Sequence, residues 1–508
     1  MARQGSGRKV RKTTLVFSVC LAFLVGIGLA QKWHAPLLWP VLFVPLLMSL
    51  HRQSVWTLAW LVTLGLSLGM WRGGMYQAKL ARFDQYYDHK VTITAVATQD
   101  AAYNKYKQLT FDAKNVTVEG TGERLTGKVS VAGFGLNAVF AGDEVEVTGT
   151  LKSSLGSYQG RMSYAQLTLI RHHNSVINEL RRRFTAGVQS ALPEPLASFG
   201  MGLLIGQRNT LPTEVSQALL MVGLTHIIAV SGYNLTILLR SADKIAGKRS
   251  RRMKLLFSFG LIAVFLLFAG TSASIVRAAI VSMLSIVVGY YGRQFKPLNL
   301  ILLAAAITAF ASPYYVWSDT SWYLSFLAFY GVMIVAPMIQ SRWSNKWRES
   351  LVASVALESI CAEAMTLPFI LHIFGQMSFI GLLANVLVVA LVPLAMLLTL
   401  IAGLAGMLVP AVVGWLAWPA RILLTYMLDI ATMLSHLPHV FVQNIGFSTW
   451  QMLASYALIG LTSLALYRKT KRHKHATITG INNSDRASDD SAMRDERRVP
   501  ERSALEGA

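Results

Sequence analysis

The feature that most constrains this chain is the recurrence of apolar stretches long enough to cross a bilayer, broken once by a long polar interval between residues 72 and 175. A hydrocarbon core of about 30 Å needs roughly 20 apolar residues in helical form. Candidate spans fall at 13–31, 36–50, 54–71, 223–240, 255–270, 273–291, 298–311, 321–339, 350–370, 382–408, 411–435 and 449–467. They predict a polytopic α-helical membrane protein of about 12 spans. Among them, 36–50, 223–240 and 298–311 fall short of that length. With 53% apolar and 14% charged residues, lipid is the main solvent of the chain.

The formal charge of +22 is concentrated at the N-terminus, between Arg240 and Lys254, and after Tyr467, so it reads first as a topology signal. Alternate counting from a cytoplasmic N-terminus places 72–222 outside. It also places the basic clusters at 240–254, 293–296, 342–348 and 468–474 inside. The N-terminal run Leu15–Ala30 follows a basic start but lacks a small-residue exit, and is read as a retained span. Cys20 and Cys361 both lie in apolar stretches, which excludes a disulfide framework or a cysteine metal site.

Inside the polar interval the period changes to two. His89–Thr98, Leu109–Val118, Thr126–Val131, Glu144–Leu151 and Met162–Ile170 alternate between turns rich in Gly, Asn and Asp, predicting five strands of a small extracytoplasmic OB-like β-barrel. After it, Val176–Leu192 aligns Ile177, Leu180, Phe184, Val188 and Leu192 on one face, the pattern of an amphipathic helix lying on the membrane. The expected domains are therefore N-terminal helices (1–71), the β-domain (72–175), interfacial and linking helices (176–222), a membrane core (223–467) and a polar, disordered cytoplasmic tail (468–508).

Polar residues within the apolar spans mark where chemistry could sit. Residues 223–236 carry His226, Ser231, Gly232 and Asn234, and Gly232 is expected to break the helix there. In an unbroken helix His226 and Ser231 lie about 140° apart, whereas a broken one could turn both to a common lumen. A second stripe holds Ser274 and Arg277; an arginine in a span costs roughly 2.5 to 3.5 kcal/mol unless it meets a partner or water. Glu358 and Glu363 are the partners the sequence offers, about 140° apart on one helix. A structural ion pair and a substrate contact both fit these charges. Asp319 and Asp429 fall near span ends, where exposure is expected. Ser231 beside Gly232 lacks the context of an intramembrane serine protease, and no HExxH pair or P-loop occurs, so neither an enzyme, a metal site nor a cofactor is expected.

The order of these segments resembles one family. Gly202 to Gly206, His226 to Gly232, Ser272-x-Ser274-x-x-Arg277, Leu324-Ser325-Phe326, Leu367-Pro368 to Phe374-Gly375 and Leu383-Ala384-Asn385 are similar to the competence domain of ComEC proteins. The barrel before them resembles that family's extracytoplasmic domain. The resemblance implies a channel in the cytoplasmic membrane that takes up single-stranded DNA in natural transformation, with His226, Ser231, Gly232, Arg277, Ser325 and Asn385 at matching positions. It also implies a separate DNA receptor, a nuclease and a cytoplasmic motor ATPase as partners. Asn234 stands where many members have histidine, and Ala273 where proline is commoner; the family's metallo-β-lactamase-like module has no counterpart in the sequence.

A single strand asks for positive charge along its backbone and aromatic faces for its bases, which Lys105, Tyr106, Lys107, Phe134 and Arg161 of the β-domain could supply. The same aromatics could instead fill the barrel core, and nine acidic residues between 84 and 146 leave the domain far from strongly basic. The expected function is a passive DNA channel served by a separate motor. The alternative is a transporter or flippase for another anionic polymer or lipid.

Overall fold

A computed structural model of the chain describes residues 12–33, 55–104, 106–154, 158–172, 176–207, 210–228, 250–269, 273–291, 296–344, 347, 350–409, 413–465 and 468. The expected spans 36–50 and 223–240 lie wholly or largely outside these residues, as does the polar tail.

The first two helices, Lys12–Ala30 and Val55–Asp84, form the tightest helix pair. Gly65, Gly69 and Gly73 recur every four residues and meet Val19, then Phe23 and Ile27, then Ala30, so the helices run parallel. A Cβ on Gly69 would lie 2.2 Å from the Phe23 carbonyl oxygen, so only glycine permits this approach. Helices packed in lipid gain no hydrophobic burial from each other, and such close backbone contact is what holds them. Two caps fix the far end: Trp317 Nε1 donates to Ile27 O (2.8 Å), and Arg72 donates from Nε and Nη2 to the carbonyls of Phe310 and Ala311. The second pair of bonds places a cation at the C-terminus of the 297–311 helix, where the helix dipole favours it.

The Val55–Asp84 helix continues out of this pair into the β-domain, where Phe83 is fully buried in the barrel core. The strands are β1 Lys90–Ala97, β2 Ala102–Tyr103, β3 Leu109–Val118, β4 Arg124–Phe134, β5 Glu144–Ser153 and β6 Gly160–Arg171. Their order is β1-β5-β6-β4-β3, closed by a β1–β3 pairing; β4–β6 alone is parallel. That is a five-stranded OB-like barrel, to which the short β2 adds an edge. Alternation works as the sequence indicates: Val145, Val147 and Leu151 of β5 point inward with Ile93, Phe111 and Met162. Positive φ at Asn115 accompanies the bulge between Lys114 and Val116, which bends β3 around the barrel.

The barrel is fastened at two places. Tyr314 Oη donates to Tyr158 O (2.9 Å), tying it to the 314–318 helix. At the other end, Asn178 Nδ2 donates to Ala141 O and Arg182 stacks over Phe140 at 4.8 Å. Burial pushes the Tyr87 hydroxyl up to about 12, so it remains a donor, here to Gln159 O at 2.6 Å.

The helix Val176–Ala191 differs from the expectation of an element lying on the membrane. Phe184, Gly187 and Val188 pack on the apolar helix Val392–Leu408, where a Cβ on Gly406 would meet Gly187 O at 2.1 Å. Ile177 and Leu180 remain exposed. The apolar stripe thus divides between a protein-facing half and a free half. The helix Leu196–Ile205 follows, nearly every residue buried, in the core shared with 381–388, 392–408 and Val413–Ser435.

Among the described residues, four helical segments are long and apolar enough to cross a membrane: Lys12–Ala30, Thr320–Gln340, Ala353–Phe374 and Gly381–Leu408. These coincide with four expected spans. Two are irregular: a π-helical turn at Gly331–Val335 interrupts the first long one after the barrel, and a 3-10 turn at Val389–Leu391 interrupts the last. Such interruptions free backbone groups and recur at functional sites.

Candidate functional site

Arg277 lies near the start of the helix Ala273–Tyr290 and is 1% exposed. Its partner is neither glutamate that the sequence offered. Nη2 donates to the carbonyl and hydroxyl oxygens of Ser321 (2.9 and 3.2 Å), and Nη1 lies 3.8 Å from Asp319 Oδ2. Asp319 was expected near solvent at a span end; it is fully buried. The reason is local. Asp319 is the N-cap of the helix Thr320–Tyr330, and its Oδ1 accepts from the amides of Ser321 and Trp322. Capping draws the carboxylate inward, and the second oxygen then faces the guanidinium. An aspartate before Thr-Ser-Trp is a capping signal the sequence did carry.

The pair is incompletely matched. Among the described residues, Arg277 Nε and Nη1 and Asp319 Oδ2 have no hydrogen-bond partner. Ser325 lies one turn beyond Ser321, partly buried. Ser274 opens the same helix as Arg277.

A second polar group forms around helix Leu351–Phe374. Glu363 approaches Gly381 and Ser378: a Cβ on Gly381 would lie 3.4 Å from Glu363 Oε1 and 3.6 Å from Ser378 Oγ. Asn385, one turn after Gly381, is buried with Oδ1 unpaired. Glu358, on the same helix, is partly buried. His226 sits in the single turn Thr225–Ile228, exposed, with Nδ1 3.0 Å from Gly223 O. Ser231, Gly232 and Asn234 lie outside the described residues. The structure therefore joins Arg277 with Ser321 and Asp319, and brings Glu363 and Ser378 to the same glycine, Gly381, one turn before Asn385. It does not bring Arg277 to Glu358 or Glu363.

On the barrel, the expected DNA contacts separate. Tyr106 and Lys107 stand exposed in the β2–β3 turn, where Asn104 Oδ1 accepts from the amides of Tyr106 and Gln108. β2 and the start of β3 pair beside Gly133, which brings that turn to the end of β4 holding Phe134. Phe134 and Tyr164 are both exposed, ring centroids 6.4 Å apart. Arg161 is exposed but paired with Ser130 and Lys152, nearer the opposite end. Phe111 is core, and the Tyr158 hydroxyl is engaged by Asp112 at 3.1 Å. Lys105 lies outside the described residues.

A family model described as Competence protein matches residues 203–469, more than half of the chain. The chain belongs to this family of competence proteins. The match takes in both polar groups and leaves the barrel outside it. ComE operon protein 3 of Bacillus subtilis (strain 168) is 23% identical over 214 residues, which make up 41% of this chain and 26% of that protein. The matched segment thus spans about a quarter of the relative's length. No solved structure matches.

Proposed function

We propose that this protein forms the path by which DNA, as a single strand, crosses the cytoplasmic membrane during competence. The observation that carries the reading is the competence-family match over the helical core, joined to an OB-like barrel bearing exposed aromatic and basic residues. The end of the barrel carrying Tyr103, Tyr106, Lys107, Phe134 and Tyr164 is the first contact. Its rings stack on bases of any sequence while the lysine follows the backbone.

Within the core, Arg277 is the phosphate contact. Closed against Asp319, it has two donor nitrogens unmatched, and a phosphate offers the bidentate acceptor that Asp319 does not. Passage requires the 273–290 and 320–330 helices to part so that phosphate replaces Asp319. His226, Ser231, Gly232, Asn234, Ser274, Ser325, Glu358, Glu363 and Asn385 line the remainder of the path. The barrel is extracytoplasmic and both termini cytoplasmic in a multi-pass arrangement, which the parallel first pair and the basic loops support. Energy, strand degradation and capture come from a separate motor, nuclease and receptor.

Deletion of the gene in a naturally transformable host should abolish internalisation of labelled DNA while leaving surface binding intact. Unchanged internalisation would sink the reading.

A further inference from the structure

Glu363 poses a problem that the DNA path leaves unsolved. It is largely buried in an apolar helix, and among the described residues its Oε2 has no hydrogen-bond partner. Among the described residues no lysine or arginine pairs with it. A lone carboxylate held away from water in a membrane interior is costly as an anion, and a bound cation or proton relieves that cost.

The surroundings supply oxygen. Ser378 Oγ and Asn385 Oδ1 are also buried without partners among the described residues, and Asn385 is 7% exposed. Gly381 packs against Glu363 Oε1 and Ser378 Oγ, and a Cβ on Gly223, which turns with φ +73°, would lie 3.7 Å from Ser378 Oγ. Gly381 thus lets backbone approach both Glu363 and Ser378, Gly223 lets it approach Ser378, and Asn385 stands one turn beyond Gly381 on the same helix. Thr225 Oγ1, two residues after Gly223, is likewise buried without a partner among the described residues. The elements meeting here are short or interrupted: the turn between 213–221 and 225–228, the two-residue strand Met377–Ser378, and the 381–388 helix that ends in a 3-10 turn. Broken helices whose carbonyl and side-chain oxygens converge are how membrane proteins bind small hard cations.

The geometry points to a monovalent-cation site formed by Glu363, Ser378 and Asn385, occupied by either sodium or a proton. One carboxylate with neutral oxygens matches a single positive charge and leaves no surplus. Other titratable groups packed nearby are His226, bonded to Gly223 O; Tyr456, whose hydroxyl donates to Met365 O; Tyr323, tilted on Phe369; and Glu358 and Cys361 on the same helix. Of these His226 is the one basic side chain.

The inference does not depend on what the protein transports. The full chain in lipid nanodiscs is melted in sodium chloride or choline chloride of equal ionic strength, across a pH series. A sodium site gives a saturable rise in Tm with sodium over choline; a proton site gives a rise in Tm on acidification in choline alone. Either response should vanish in Glu363→Gln, which is neutral and fills the same space. Asn385→Ala should shift a sodium midpoint upward by about tenfold, the loss of one ligand. His226→Gln should leave the response intact. No response in the native protein, or the same response in Glu363→Gln, overturns the proposal. Loss of the response in His226→Gln alone overturns it too, because the titrating group would then be the histidine.

Discussion

In the β-domain, buried polar groups find partners close by. Asp143 Oδ2 accepts from the Phe140 amide, and the strand ladders satisfy the backbone; among the described residues from β1 to β6 (90–171) Gln108 Nε2 alone is buried and unpaired. In the helical core Thr225, Arg277, Asp319, Glu363, Ser378, Asn385 and Thr399 each hold at least one such atom. Two ways of folding account for the contrast. A barrel brings every strand beside two others, so side-chain donors lie next to backbone acceptors. A helix satisfies its own backbone, and a polar side chain on it must find a partner on another helix. The core thus keeps unmatched polar atoms among its described residues, and the barrel keeps almost none.

The largest test of that contrast is Asp319→Ala. It strands a buried guanidinium and should cost about 3–5 kcal/mol, read as loss of folded protein from the membrane. The companion Arg277→Met with Asp319→Leu restores apolar contact and should recover expression to near the native level. DNA internalisation should nevertheless stay abolished if Arg277 handles phosphate. Recovery of uptake in the double variant would reduce the pair to scaffolding.

In the barrel, Phe83→Ala should cost about 3–5 kcal/mol by opening a cavity, seen as early loss of the β-domain in thermal melts of the full chain. If the helical core melts at an unchanged temperature, the two regions are energetically separate. Tyr314→Phe removes the bond to Tyr158 O and should cost about 0.5–1.5 kcal/mol, with any larger effect showing that the barrel and core are coupled through it.

The smallest effect is a pH slope. Burial raises the Asp112 carboxyl, and the Tyr158 hydroxyl only partly offsets this. The folded barrel therefore holds that proton more tightly than the unfolded chain. Its stabilising contribution is complete below the ordinary aspartate value of about 3.9 and is lost as pH rises through the higher folded value. Asp112→Asn should flatten that part of the melting profile, and an unchanged slope would assign it to another group.

By itself the sequence determined the elements whose signals are local. Alternation located five strands nearly residue by residue, because each inward side chain must be apolar and each outward one must not. Four spans followed from length and hydropathy alone. Polar residues inside those spans named Arg277, Glu363 and Asn385 as unusual, since lipid makes every such residue costly. Pairing was decided by the tertiary structure. Arg277 meets Asp319, 42 positions away, because a capping bond turned that carboxylate inward, and neither spacing nor hydropathy encodes where one helix start lies against another helix. Glu363 and Ser378 come to one place because Gly381, without a side chain, lets both approach its backbone. Likewise Val176–Leu192 carries a stripe that suits lipid or protein equally, and the close approach of Gly187 and Gly406 committed half of it to protein. Periodicity reports which face of an element is apolar; which neighbour covers that face is a property of packing, settled when distant segments compete for the same space.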